Sequence, residues 1–424
     1  MLKQRTIFVS EHGWLVAGKT YNNVHFSRVH LNLLGKYITV NSACEYYTLY
    51  ADRVRFNSYV GAIKVADITI EVLPKTERHN LDNSGWQRVL LQMLAISLQV
   101  EAKTTTEANI EIRKYSVLET YIQLFLSETG KIIKQGLAKK YRKVESNQNA
   151  LRGKLLVHKN VVKNLIHAER FYVQHNTYDQ KNIYNCILQQ ALECIVNLNL
   201  SPDLSRQGKS MLIDFPEFKP IKISEELFKK LTFDRKTERY KRAIELARII
   251  LLNYHPDVAT GSNNILAIMF DMNALWETFV YAVLAKCSKK FNISVVHEPR
   301  IAYWQRPNQR KLNLKPDIVI TNKDNSQVLV LDTKWKYEST TSSDEIRQMY
   351  AYSKYLKSEA IYLVYPDKLD NDPVRVQQGL FYLPGTKNLS NEACGLAFVD
   401  LIKDGKLNKD IGHHILKSCL SLVS

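Results

Sequence analysis

The sequence predicts an α+β multidomain protein: a β-rich N-terminal region, a helical and basic middle, and a C-terminal module of order α-β-β-β-α-β. Three observations carry this prediction. Residues from about 5 to 75 hold short apolar runs punctuated by turn residues. Helical patterns and a strongly basic stretch follow. Residues 271 to 365 then alternate helical and strand-like patterns in a definite order, which argues for one sheet flanked by helices. At 424 residues the chain has room for two or three domains. They are expected at 1–110, 111–232 and 233–424.

The elements follow in order. Tyr59-Val60-Gly61-Ala62-Ile63-Lys64-Val65 and Ile68-Thr69-Ile70-Glu71-Val72-Leu73 read as strands close enough for a hairpin, and Pro74 ends the second. Ser84 is a candidate cap for a helix from about 86 to 98, whose apolar positions include Val89, Leu90, Met93, Leu94 and Ile96. A second helical region is expected at about 117–143. From Lys131 to Lys163 ten Lys/Arg face one acid, Glu145, with apolar and aromatic residues interleaved. That suits a phosphate- or partner-contacting surface, or equally a solvated basic face. A mostly apolar helix is expected at about 182–198. Residues 199–235 hold Pro202, Gly208, Pro216 and Pro220 among polar residues and read as the domain boundary. Another helix covers about 239–252.

In the C-terminal module, Asp271 is a plausible cap for a helix reaching about Lys290. Strand-like residues occupy 293–303, a hairpin 315–334, a helix about 344–357 and a strand 360–365. No family-specific motif could be placed on residues 366–424.

Composition narrows the function classes. The net charge of +17 favours a polyanionic partner, with nucleic acid ahead of membrane. The 23 tyrosines argue against disorder. None of the six cysteines forms a Cys-x-x-Cys pair, so zinc is poorly supported. No apolar run approaches transmembrane length, and the first residues lack the apolar core of a signal peptide. A reducing cytoplasm is the expected compartment. No Gly-x-x-x-x-Gly-Lys-Ser/Thr occurs, because Arg152-Gly153-Lys154 lacks the upstream glycine and the hydroxyl. A P-loop nucleotide site is therefore not expected.

The chemistry concentrates in Lys315-Pro316-Asp317-Ile318-Val319-Ile320 and Val328-Leu329-Val330-Leu331-Asp332-Thr333-Lys334. Two apolar runs flank a polar turn at Asp324 and Asn325. Antiparallel pairing about that turn sets residue i opposite 649 − i, and hence Asp317 opposite Asp332. Lys334 lies two residues from Asp332 and shares its face, as does Lys336. Two carboxylates and an ammonium would converge at one end of a sheet. Such a group suits a divalent metal and phosphodiester hydrolysis. Glu277 sits at the edge of the apolar stripe Met272, Leu275, Trp276, Phe279 and Val283, from which an acid could reach inward. Gln348 and Tyr352, four apart, share a helix face and could orient a phosphate or brace the site.

This combination resembles the PD-(D/E)xK nuclease superfamily, whose core is α-β-β-β-α-β. The resemblance implies that Asp317 and Asp332 bind Mg²⁺, that Lys334 assists the attacking water, and that Glu277 supports the metal shell. Tyr59-Val60-Gly61, Ile70 to Lys75, Gly136-Leu137 through Tyr141, Leu151 to Leu155, Glu238 to Lys241, Phe270 to Asn273 and Gln348 to Tyr352 are in turn similar to McrC proteins, in family order. McrC is the nuclease subunit of McrBC modification-dependent restriction systems, and its partner McrB is an AAA+ GTPase ring. The resemblance implies an N-terminal region that docks into the ring and stimulates GTP hydrolysis, with GTP bound by the partner rather than this chain. It also implies a C-terminal domain that cuts double-stranded DNA. Lys134, Lys139, Lys140, Arg142 and Lys143 then become candidate contacts to partner or DNA. Two alternatives compete: a GTPase-activating adaptor with an inactive nuclease site, and a stand-alone RecB-like repair nuclease. Neighbouring reading frames would separate the latter from the others.

Overall fold

A computed structural model of the protein describes residues 5–40, 44–74, 81–101, 116–198, 200–255, 264–307, 310–336, 341–358, 360–369, 372–383 and 385–420. It is a mixed α/β structure with several sheets. The chain divides into two compact units, Met1–Val117 with Met269–Ser424, and Leu118–Ile268. This division does not follow the three expected segments. N- and C-terminal residues share one unit because the helix Asn83–Glu101 packs on the helix Met272–Cys287. The proline-bearing stretch read as a boundary lies wholly inside the other unit. It carries the helices Pro202–Leu212 and Glu225–Lys229, the first using Pro202 in its opening turn, where the missing N–H costs nothing.

In the first unit, Thr6–Ser10 runs parallel to Ile68–Leu73, which pairs antiparallel with Tyr59–Val65. The last two form the expected hairpin, and both are buried almost throughout. The helix over 83–101 starts one turn earlier than expected. Asp82, rather than Ser84, accepts from the Gly85 N–H at 2.8 Å.

The C-terminal part of this unit has the expected order. The helix Met272–Cys287 is capped by Asp271, whose side chain accepts from Asn273 and Ala274. The strands Ile293–His297, Ile318–Asn322 and Val328–Thr333 follow, then the helix Ser343–Leu356 and the strand Ala360–Asp367. The region 293–303 is two strands: Ile301–Trp304 leaves the sheet and pairs with Leu312–Leu314 in a separate hairpin. Ser342 and Glu345 form a capping box for the second helix. Residues 366–424 extend the same sheet. Leu389–Asp400 runs parallel to Ala360–Asp367, Val374–Tyr382 closes the edge, and the helix Ile411–Leu420 packs on the helix Met272–Cys287. The strands Val328–Thr333 and Ala360–Asp367 are central and apolar on both faces, as parallel strands under helices must be.

In the second unit, the expected helix at 117–143 ends at Lys134. Gly136 follows at φ +84°, a conformation suited to glycine, and stops it. Lys140–Gln148 is instead a strand, paired antiparallel with Phe171–Asp179, and Lys154–Leu155 adds a third. Gly153 sits at φ +84°, and a Cβ there would lie 2.4 Å from the Gln174 carbonyl oxygen. The helix Ile183–Asn197 is buried along most of its length, as its apolar sequence predicts. Among the described residues, no helix is long and apolar enough to cross a membrane.

Candidate active site

The hairpin register places the two aspartates. Ile318 pairs with Leu331, Val319 with Val330 and Ile320 with Leu329, so each pair sums to 649. One step beyond, Asp317 stands across from Asp332, and facing side chains of an antiparallel pair share a side. The Asp317 carboxylate accepts from the Thr333 N–H at 2.7 Å and from its hydroxyl at 2.9 Å through the same oxygen. That fixes its rotamer and leaves the other oxygen uncommitted to Thr333.

Asp332 is 1 % exposed, and its Oδ1 has no hydrogen-bond donor, while Oδ2 faces a cation. Its counter-charge is the Lys334 ammonium, with which it forms an ion pair. Lys336, expected on the same face, lies beyond the strand's end at Thr333 and pairs with Glu345 at 3.0 Å. The lysine next to the aspartates is thus Lys334.

Electrostatics follow from burial and crowding. Burial, then the Asp332 and Glu277 carboxylates, push the Asp317 carboxyl up to about 7. Asp332 is raised as well, by burial against the pull of Lys334. Burial alone would lower the Lys334 ammonium, but Asp332 outweighs it and the net shift is upward. Glu277 reaches inward from its helix, partly buried, and forms an ion pair with His297 at 3.0 Å. The Glu277 carboxylate raises the His297 imidazole. His297 stacks on Tyr281 at 4.7 Å between ring centroids.

Gln348 and Tyr352 are neighbours, as their spacing requires. Gln348 Nε2 donates to the Tyr352 hydroxyl at 2.6 Å, which donates to the Lys315 carbonyl at 2.9 Å. Tyr352 is 2 % exposed. This chain braces the segment entering Asp317, while Gln348 stays exposed. Tyr355, further along, is exposed as well.

The basic residues of the middle region divide into two groups. Arg142 grips Asp179 with hydrogen bonds of 3.0 and 2.9 Å, and Lys140 pairs with Asp234 at 3.0 Å. Lys134, Lys139 and Lys143 are exposed.

The donor set fits a hard divalent cation. Two carboxylates face one another, and Oδ1 of the buried Asp332 has no hydrogen-bond donor. Mg²⁺ ordinarily takes one or two carboxylates and fills its remaining positions with water and substrate phosphate. Among the described residues there is no group of three or more His, Cys, Asp or Glu placed to hold a metal ion, so any cation here rests on two carboxylates.

Sequence reasoning missed His297, Thr333 and Glu345. Thr333 had a signal: it lies between Asp332 and Lys334, so its backbone N–H faces the partner strand. His297 had none, because only the fold brings it to Glu277.

A family model described as "McrBC 5-methylcytosine restriction system component" matches residues 54–366, well over half of the chain. Among solved structures, a chain of the refined half-complex from a tetradecameric assembly of Thermococcus gammatolerans McrB AAA+ hexamers with bound McrC is similar. It shares 19 % identity at a TM-score of 0.64, over 99 % of this chain and 100 % of that one. A chain of the Thermococcus gammatolerans McrBC complex aligns over 66 % of this chain and 87 % of that one, at 19 % identity and a TM-score of 0.47. The first likeness establishes a shared fold. No functionally curated protein matches the sequence.

Proposed function

Because the chain belongs to the family of McrBC 5-methylcytosine restriction system components, as an McrC-type protein, we propose that it is the DNA-cleaving subunit of such a system. Its core is then of the PD-(D/E)xK type, and its reaction is hydrolysis of DNA phosphodiesters. The observation that carries this reading is the apposition of Asp317 and Asp332 across the hairpin, with the Lys334 ammonium on Asp332.

The residues divide the work. Asp317 and Asp332 would hold Mg²⁺, which when bound neutralises charge on the phosphate and acidifies a water. Lys334 favours the ionised form of Asp332 against the effect of burial and would offer an ammonium beside the attacking water. Glu277 adds a third carboxylate, steadied by His297, at the edge of the site. Thr333 holds Asp317 in one orientation. Tyr352 and Gln348 keep the Lys315–Pro316 backbone in place, so that Asp317 meets Asp332 without reorganisation.

The partner is an AAA+ ring of the McrB type. The support is the family and the fold shared with a chain from an assembly of McrB hexamers with bound McrC. Nucleotide would belong to that ring, and this chain would stimulate its GTP hydrolysis. The exposed Lys134, Lys139 and Lys143 are available for the ring or for DNA, whereas Lys140 and Arg142 spend their charge on Asp234 and Asp179. The test is plasmid cleavage with Mg²⁺ and GTP, with and without the neighbouring GTPase. Asp332→Ala should abolish cutting and leave assembly with the ring intact. Undiminished cutting by that variant would defeat the reading.

A further inference from the structure

A two-stranded hairpin interrupts the sheet beside the aspartates, and nothing in the chemistry above employs it. Ile301–Trp304 pairs antiparallel with Leu312–Leu314. Its base is fastened to the site. The Glu298 N–H donates to the Asp317 carbonyl at 2.8 Å, and Glu298 forms an ion pair with Lys315. The Tyr355 hydroxyl donates to the Tyr303 carbonyl at 3.4 Å.

Its surface is unusual in two ways. First, Tyr303, Trp304 and Leu312 are exposed, Trp304 at 49 %. The register shifts between Ala302 and Trp304, and such a bulge re-aims the side chains around it. The Arg306 guanidinium lies 5.8 Å from the Trp304 ring centroid. Second, residues 298–315 hold Arg300, Arg306, Arg310, Lys311 and Lys315 against one acid, Glu298. Glu298 is taken by Lys315, which leaves Arg306, Arg310 and Lys311 with no carboxylate among the described residues. Exposed aromatics interleaved with unpaired cations make a poor solvated surface and a good polyanion surface.

We propose that this hairpin is a DNA-groove contact that seats the duplex next to the bond to be cut, and this rests on the nuclease reading above. A two-stranded ribbon fits the major groove. At ~3.3 Å per residue, Trp304, Lys311, Arg310 and Arg306, about six to eight residues from the level of Glu298 and Asp317, lie roughly 20–26 Å along the hairpin. That corresponds to about six to eight base pairs from the scissile phosphate at ~3.4 Å per pair. Arg306, Arg310 and Lys311 take phosphates, and Trp304 packs on a sugar or base edge.

The test uses the full-length chain in EDTA with a fluorescein-labelled 30-base-pair duplex and anisotropy as the readout. The triple variant R306E/R310E/K311E should bind at least ~10-fold more weakly, and its slope of log affinity against log salt should fall by about 3. Trp304→Ala should weaken binding with the salt slope unchanged, and Trp304→Phe should recover most of the loss. Unfolding midpoints equal to the parent's check that the variants are folded. Binding by these variants within twofold of the parent overturns the proposal. So does a parent that binds no duplex, one that prefers the single strand, or a self-association of the parent that buries Trp304. Asp332→Asn keeps the two ideas apart: it should bind like the parent and cut nothing. If it cuts normally the nuclease reading falls, whatever the hairpin does.

Discussion

Replacing Asp317 with asparagine should make the metal-free protein more stable while it destroys cleavage. Asp317, half-buried, faces the buried Asp332 across the hairpin, and without a metal ion the site carries the cost of burying the Asp317 charge and then of its repulsion by Asp332. Asparagine has nearly the same shape. Its oxygen can keep both hydrogen bonds from Thr333, at the positions now 2.7 and 2.9 Å from Asp317. The substitution therefore removes charge and little else.

The magnitude follows from the shift. Asp317 titrates near 7 in the fold against an ordinary value of 3.8. At pH 8, where it is ionised in both states, that difference costs the native state on the order of 4 kcal/mol. Its folded value lies above its unfolded one, so the native state holds the proton more tightly. The penalty is absent below pH ~3.8, grows as pH rises, and is complete above ~7. In EDTA, Asp317→Asn should exceed the parent by ~4 kcal/mol at pH 8 and by about 2 kcal/mol at pH 5. Because Asp332 shares the strain, these figures are ceilings. Urea denaturation at the two pH values reads the difference directly. Added Mg²⁺ should then narrow the gap, since a ligand at 100 times its dissociation constant stabilises the parent by ~2.7 kcal/mol. An asparagine variant no more stable than the parent at pH 8, or one with an unchanged pH slope, would refute the reasoning.

Three further outcomes are expected. Lys334→Ala should lower turnover by ~10²-fold or more, in the range typical of a positioned proton-transfer group, whereas Lys336→Ala, which removes the partner of Glu345, should cost far less. Steady-state cleavage of both variants decides between them, and the reverse order moves the role to Lys336. Tyr352→Phe removes a hydroxyl bonded to Lys315 and Gln348, and should cost ~1–2 kcal/mol in denaturation together with a fall in kcat at unchanged DNA affinity. Gly153→Ala should destabilise the middle unit by more than 1 kcal/mol, because its Cβ would meet the Gln174 carbonyl; urea unfolding that matches the parent would contradict this.

The hairpin was legible because its physics is local. A polar turn between two apolar runs fixes a register, and a register fixes which side chains face each other. The same holds for the Asp271 cap and for the pair Gln348 and Tyr352, both set by spacing along one helix. What escaped depended on distant chain. His297 meets Glu277 only once a strand has folded beside the helix. The helix expected at about 117–143 runs too far into the basic stretch, where apolar residues such as Leu137 continue past the helix end at Lys134. Gly136, at positive φ, breaks the helix, and the strand pairing with Phe171–Asp179 decides the rest. Residues 366–424 carried no motif, yet they supply two strands of the same sheet, because an edge strand needs only apolar alternation and a partner.

The composition of the first unit also decides how the division of labour can be tested. A cut near residue 235 looks natural from the prolines, but it removes residues 1–117 from the unit that holds the aspartates. Two contacts show the consequence. The Trp335 indole N–H, one residue from Lys334, donates to Glu11 at 2.7 Å. The helix Asn83–Glu101 covers the helix Met272–Cys287, which carries Glu277. Without them, the buried face of the helix Met272–Cys287 loses part of its cover. Uncovering several large apolar side chains at ~1.5–3 kcal/mol each approaches the whole stability of an ordinary domain, roughly 5–15 kcal/mol. A fragment from residue 235 to the end should therefore be aggregated or unfolded rather than a weak nuclease. Co-expressed residues 1–117 should rescue it if the two pieces pair. Cooperative unfolding of the lone fragment at the parent's midpoint would show that the N-terminal residues are dispensable for the catalytic fold.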